Sequence, residues 1–221
     1  MRVLILTDSL GCPRKEIGVA STWTEMVLND LIKDGITVYT YCTHGLSAKM
    51  IDLEYVADLK PDIIISQYGI VDACRRVMSR TTLSVVSRIP KVSGVVREFC
   101  DNNHYKLSSI RELHYCKVGD FGKITQKISE LAGTAFLFVA IAHAGARMKK
   151  QAYMIENDID AYNKAARDIA GVTFIDPYRN QDVQGLLLHD GHHLTEAGHA
   201  LVHRAVIEGF TAIKNGGSAN E

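Results

Sequence analysis

The stretch Val3-Leu4-Ile5-Leu6-Thr7-Asp8-Ser9-Leu10-Gly11 decides the reading of the fold. Its first four residues are apolar without alternation, the pattern of a strand buried on both faces. Polar residues and a glycine follow at once, so the chain leaves the strand there and presents Ser9 at the strand's carboxyl end. Apolar runs at 36–41, 63–66, 135–141 and 172–175 repeat the strand pattern. Between them, apolar residues recur at helical spacing over 22–33, 46–59, 124–131, 155–169 and 195–213. Thr195 is the expected N-cap of the last helix, and Asn215-Gly216-Gly217 lies just beyond its end. Continuous apolar strands separated by helices predict a three-layer, flavodoxin-like α/β fold with a central parallel sheet. We expect one domain over 1–214, an insertion around 80–118 beside the active site, and a flexible tail over 215–221.

Bulk properties narrow the function classes. The 221 residues carry 25 basic and 25 acidic side chains, so nothing marks a nucleic-acid partner or an anionic membrane surface. The five cysteines are scattered without a CxxC pair, which argues against a disulfide framework or a zinc site and for a reducing compartment. No apolar run reaches membrane-spanning length, and strand-like sequence begins at residue 2, so the expected location is the cytoplasm.

The segment Asp190-Gly191-His192-His193-Leu194 changes how Ser9 is read. Taken alone, Asp8 and Ser9 are most simply helix-capping residues where the next helix begins. A carboxylate and an imidazole three residues apart can place Asp190 against Nδ1 of His193 and leave Nε2 free to take a proton. With Ser9 they supply a nucleophile, a base and an orienting acid. Surface histidines or metal ligands are the competing reading of His192, His193 and His199; no companion cluster at ligand spacing supports a metal.

In these blocks the chain resembles the SGNH hydrolase superfamily, also called GDSL-type esterases and lipases. Asp8-Ser9-Leu10 matches its first block, with Thr7 where the family usually has glycine, and Asp190 and His193 match its closing DxxH. The resemblance implies that Ser9 is the nucleophile, His193 the base and Asp190 its partner, and that no cofactor is needed. Its second block falls on Gly45, so the backbone N–H groups of Ser9 and Gly45 are expected to form the oxyanion hole. Its third block, G-x-N-D, falls on Gly69-Ile70-Val71-Asp72. Val71 thus stands where the family has an oxyanion-binding asparagine, and valine has no donor. Asn102 or Asn103 is a candidate replacement.

Gly-Ile-Val-Asp together with Pro13-Arg14 resembles a subgroup found with bacterial surface-polysaccharide biosynthesis genes. The implied function is a serine esterase that removes an acyl group, such as acetyl, from a carbohydrate. Acyl transfer by the same triad and non-catalytic glycan binding are the alternatives. Arg14, Asp72 and Arg75 are candidate substrate-binding residues. His44 and His143, each after an expected strand, are further candidates to approach the site.

Overall fold

The computed structural model describes residues 1–215, apart from the side chains of 90–92; the expected tail beyond 215 lies outside the described residues. Strands β1 (Arg2–Thr7), β2 (Thr37–Cys42), β3 (Ile63–Gln67), β4 (Ala135–Val139) and β5 (Val172–Ile175) form one parallel sheet in the order β2-β1-β3-β4-β5. The helices in chain order are α1 (Trp23–Lys33), α2 (Leu53–Leu59), α3 (Ile70–Ala73), α4 (Arg80–Ser87), α5 (Pro90–Asn102), α6 (His104–Ile110), α7 (Val118–Glu130), α8 (Ala146–Gln151), α9 (Ile155–Arg167) and α10 (Glu196–Lys214).

Alternate side chains of the central strands feed two cores, because successive strand residues point to opposite faces. Leu4, Leu6, Ile64, Phe136 and Phe138 pack with Phe121 and Ile128 of α7 and Ile159 and Tyr162 of α9. Val3, Ile5, Ile65, Leu137 and Val139 pack with Trp23, Val27 and Leu31 of α1 and Val202, Val206 and Phe210 of α10. Full burial of each such side chain contributes roughly 1.5–3 kcal/mol. Packing of α10 on α1, β4 and β5 places it on the same face of the sheet as Val3 and Ile5 of β1.

Two expectations about elements are corrected. The helix expected over 46–59 is a short 3-10 turn (Ala48–Met50) followed by α2, because Asp52 caps the N–H groups of Glu54 and Tyr55 and restarts the helix there. The 36–41 run gives β2, which is half-exposed because it is an edge strand. Within the region expected as an insertion at 80–118, residues 80–110 form the three helices α4–α6, with Ser79 capping α4 and Pro90 opening α5.

Candidate active site

A parallel sheet sends every strand's carboxyl end to one edge, and ligands bind there in such folds. Ser9 lies two residues beyond β1, Gly45 three beyond β2, Gly69 two beyond β3, and the Asp190 loop follows β5. The chain after Ser9 does not begin a helix as expected. It runs without an α-helix, through a 3-10 turn at Val19–Ser21, until α1 starts at Trp23, capped by Thr22 Oγ1 rather than by Asp8 or Ser9.

Asp8 instead ties two strand ends together. Its Oδ1 accepts from Leu10 N–H (2.9 Å) and its Oδ2 from Gly69 N–H (3.1 Å). The side chain is fully buried, and burial pushes its carboxyl up to about 7, against the pull of those N–H donors. A second buried carboxylate, Asp72, laces the next pair of loops by accepting from Ser47 Oγ (2.5 Å) and Ala48 N–H (2.7 Å). Neither tie was read from the sequence; the aspartates shortly after the first and third strand patterns were the available signal.

The closing loop is pinned at both ends. Leu187 and Leu194 form an antiparallel bridge, Leu188 N–H donates to His193 O (2.7 Å), and Thr195 caps α10 through Gly198 N–H (3.2 Å). Asp190 Oδ1 accepts from the N–H groups of His192 and His193 (3.1 Å each) and so folds the turn on itself. Gly191 sits at φ +82, and Gly145 N–H reaches Gly191 O at 2.7 Å. A Cβ on Gly145 would lie 2.9 Å from Gly191 Cα. Both positions therefore need glycine, one for its dihedral and the other for close backbone approach.

These loops bring Ser9, His193 and Asp190 together. His193 Nδ1 lies 2.7 Å from Asp190 Oδ2, and His193 Nε2 lies 3.0 Å from Ser9 Oγ. An ionised carboxylate only accepts, so Nδ1 carries the proton and Nε2 presents its lone pair. Burial alone would raise the Asp190 carboxyl, but the hydrogen bonds from the His193 ring and from the His193 and His192 N–H groups hold it well below the usual range. His193 and Ser9 are nearly closed off from solvent, at 7% and 9% exposure. Arg14 also reaches the imidazole, with Nη1 2.7 Å from His193 Nε2 and Nη2 4.0 Å from Asp190 Oδ2.

Among the described residues, no protein group accepts from the Ser9 or Gly45 N–H, and Gly45 adopts φ +69. Val71 is buried in α3 and offers no donor; its carbonyl accepts from Arg76 Nη2 (2.6 Å). Asn103 Nδ2 is bound to Phe99 O (2.8 Å), so it does not replace the missing asparagine. Two expected substrate-binding residues are corrected. Asp72 is fully buried with both carboxylate oxygens engaged, and Arg75 is paired with Asp158 through Nε (2.8 Å) and Nη2 (3.2 Å). Neither presents a free charge to a ligand.

The remaining histidines divide by environment. His199 is buried and its Nδ1 accepts from the first N–H of α1 at Trp23 (3.2 Å); burial and the nearby His193 bring it down to about 4. His192 is brought down to about 4 in the same way. His143 is exposed and pairs with Glu156, and His44 is exposed. Among the described residues, one group has metal-ligand geometry, Asp190, His192 and His193, with ligand atoms within 4.8 Å of one another. Both ring nitrogens of His193 already engage Asp190, Ser9 and Arg14. A cavity of about 380 Å³ borders the Asp190 and His192 side and is also lined by Asp101, His104, Arg147 and His189.

No protein-family model matches the chain, and no curated protein matches it in sequence. Solved structures do match its fold. A lipase/acylhydrolase from Enterococcus faecalis superposes with a TM-score of 0.64 at 14% identity, covering 97% of this chain and 96% of that one. A structure assigned to the G-D-S-L lipolytic family, from Desulfitobacterium hafniense, gives 0.58 at 13% identity and covers 94% and 98%. A family 3 carbohydrate esterase from Clostridium thermocellum gives 0.55 at 10% identity and covers 98% of both chains. The chain thus has the three-layer parallel α/β fold of GDSL-type lipase and acylhydrolase structures, the fold that its motif resemblance implies.

Proposed function

We propose that this protein is a serine esterase that removes an acyl group, such as acetyl, from a carbohydrate. One observation carries the reading: His193 lies between Asp190 Oδ2 and Ser9 Oγ, at 2.7 and 3.0 Å. In this mechanism the Ser9 proton passes to His193 Nε2 as Oγ bonds to the ester carbonyl carbon, and the carbonyl electron pair moves onto oxygen. Asp190 stabilises the imidazolium. The N–H groups of Ser9 and Gly45 are the proposed oxyanion donors; without the family's asparagine, such a hole works with one donor fewer, a deficit worth about 10²–10³ in rate. His193 then protonates the leaving alcohol, the ester C–O bond breaks, and water deacylates Ser9 by the same route.

Ester cleavage is supported by the esterases and acylhydrolases among the structural neighbours. The sugar portion is supported by the cavity beside Asp190, where His104, Arg147, Gln151 and His189 among mixed polar and apolar lining offer partners for hydroxyl groups, and by the carbohydrate esterase among the neighbours. Replacement of Ser9 by alanine tests the assignment. Ser9→Ala is expected to lower kcat on p-nitrophenyl acetate by at least about 10³-fold with an unchanged melting temperature; turnover at the parent rate would overturn it.

A further inference from the structure

Arg14 occupies the lone pair that the esterase mechanism needs. With the Nδ1 proton directed at Asp190, His193 Nε2 can accept only one hydrogen bond along its lone pair, and two donors compete for it. Arg14 Nη1 stands closer, at 2.7 Å, than Ser9 Oγ, at 3.0 Å. Arginine cannot accept a proton or lose its charge. An imidazolium formed in this arrangement would point its own N–H at a guanidinium less than 3 Å away, so the general-base step conflicts with Arg14 where it stands. The guanidinium is also poorly satisfied. Its Nε is buried with no hydrogen-bond partner among the described residues, and its nearest carboxylate oxygen, on Asp190, is 4.0 Å away and already bonded to His193. The backbone around it is held, since Arg14 and Ile17 exchange both of their N–H···O bonds (2.9 and 3.2 Å). The long side chain is the part free to swing.

We propose that Arg14 is an anion-triggered latch: the substrate ester carries a carboxylate or phosphate group, and this group draws the guanidinium off His193 Nε2. The planar fork of arginine binds either anion through two parallel N–H···O bonds, a stronger match than one bond to a neutral ring nitrogen. The same movement hands Nε2 to Ser9, so proton transfer is favoured when an anionic substrate is bound. Arg75 cannot serve in its place, being committed to Asp158. This inference rests on the esterase reading above and adds to it a charged substrate class.

The test compares para-acetoxybenzoate with its uncharged methyl ester, and para-acetoxyphenyl phosphate as a second anion, with each rate normalised to hydroxide-catalysed cleavage. The parent protein is expected to favour the anionic acetates in kcat/KM by about tenfold or more. Arg14→Met, which keeps bulk but removes donor and charge, is expected to lose that preference and to gain severalfold in kcat on the neutral ester. Arg14→Lys is expected to keep part of the preference, and matching melting temperatures establish that both variants fold. Equal use of charged and neutral esters by the parent protein, or an equal loss on all esters in Arg14→Met, overturns the latch and leaves the esterase reading standing. Cleavage that persists in Ser9→Ala, or cleavage of none of the three, overturns the esterase reading and the latch with it. The relative rates on benzoate and phosphate identify which anion the site takes.

Discussion

At the carboxyl edge of the sheet, Asp8, Asp72, His193 and His199 are buried, and each is bonded to a group 24 or more residues away in sequence. In α4–α6 the situation is reversed. Leu83, Val85, Val95, Phe99, Tyr105 and Ile110 are exposed, and Ser108 is the only buried residue among those described there. The contrast shows where the molecule enforces geometry. Buried polar groups are costly when left unpaired, so a network of them permits few arrangements. An exposed helical surface permits many. The side chains argued to move a proton sit in the first kind of environment, and the region expected as an insertion is the second.

The largest effect that could break this contrast lies at Asp190. Asp190→Asn keeps the shape but removes the carboxylate that sets the tautomer of His193. It is expected to lower kcat on p-nitrophenyl acetate by about 10²–10⁴-fold. A loss below tenfold would mean that the bonded network at the edge does not act on Ser9.

A smaller effect concerns pH. His199 is held in its neutral form, brought down to about 4 from an ordinary 6.5. The folded state therefore binds fewer protons than the unfolded state between these values. Stability is complete above about pH 6.5 and is lost as pH falls towards 4, by up to about 3 kcal/mol from this residue. Asp8 acts in the opposite sense. Raised to about 7, it is protonated in the folded state where the unfolded state has ionised, so its contribution is lost as pH rises from about 4 to 7. His199→Gln is expected to flatten the acid-side loss. Urea midpoints at pH 7 and pH 4.5 measure it, and a variant with the parent's slope would remove His199 from the account.

The smallest effect belongs to the helical surface. Phe99→Ser on α5, at a side chain 58% exposed, is expected to change stability by less than about 0.5 kcal/mol. Denaturant unfolding that shows a loss above about 2 kcal/mol would place Phe99 in a packed interface and erase the distinction between the two regions.

Legibility in the sequence follows the same division. Val3 to Leu6, 63–66 and 135–141 read as buried parallel strands because full burial leaves a continuous apolar run; 172–175 reads the same way although β5, at the sheet's edge, buries only Val172. The grouping of Ser9, Asp190 and His193 was legible because the proposed serine chemistry needs those residue types, and the turn at Asp190 fixes its spacing to His193. The ties of Asp8 and Asp72 were not legible, since each partner is a backbone N–H brought near by the fold and backbone groups leave no mark in sequence. Arg14 was expected to bind substrate, but its contact with His193 spans 179 residues and no local pattern encodes it. The bounds of α4–α6 were not legible, because an amphipathic pattern with little core to face gives a weak helical signal.

The most direct test of the central claim, that Ser9 is activated by His193, is covalent labelling of the whole protein with a fluorophosphonate followed by peptide mass spectrometry. The account predicts one adduct, on Ser9 Oγ, formed much more slowly in His193→Ala. An unlabelled Ser9 in folded protein, or labelling that proceeds equally fast without His193, would contradict it.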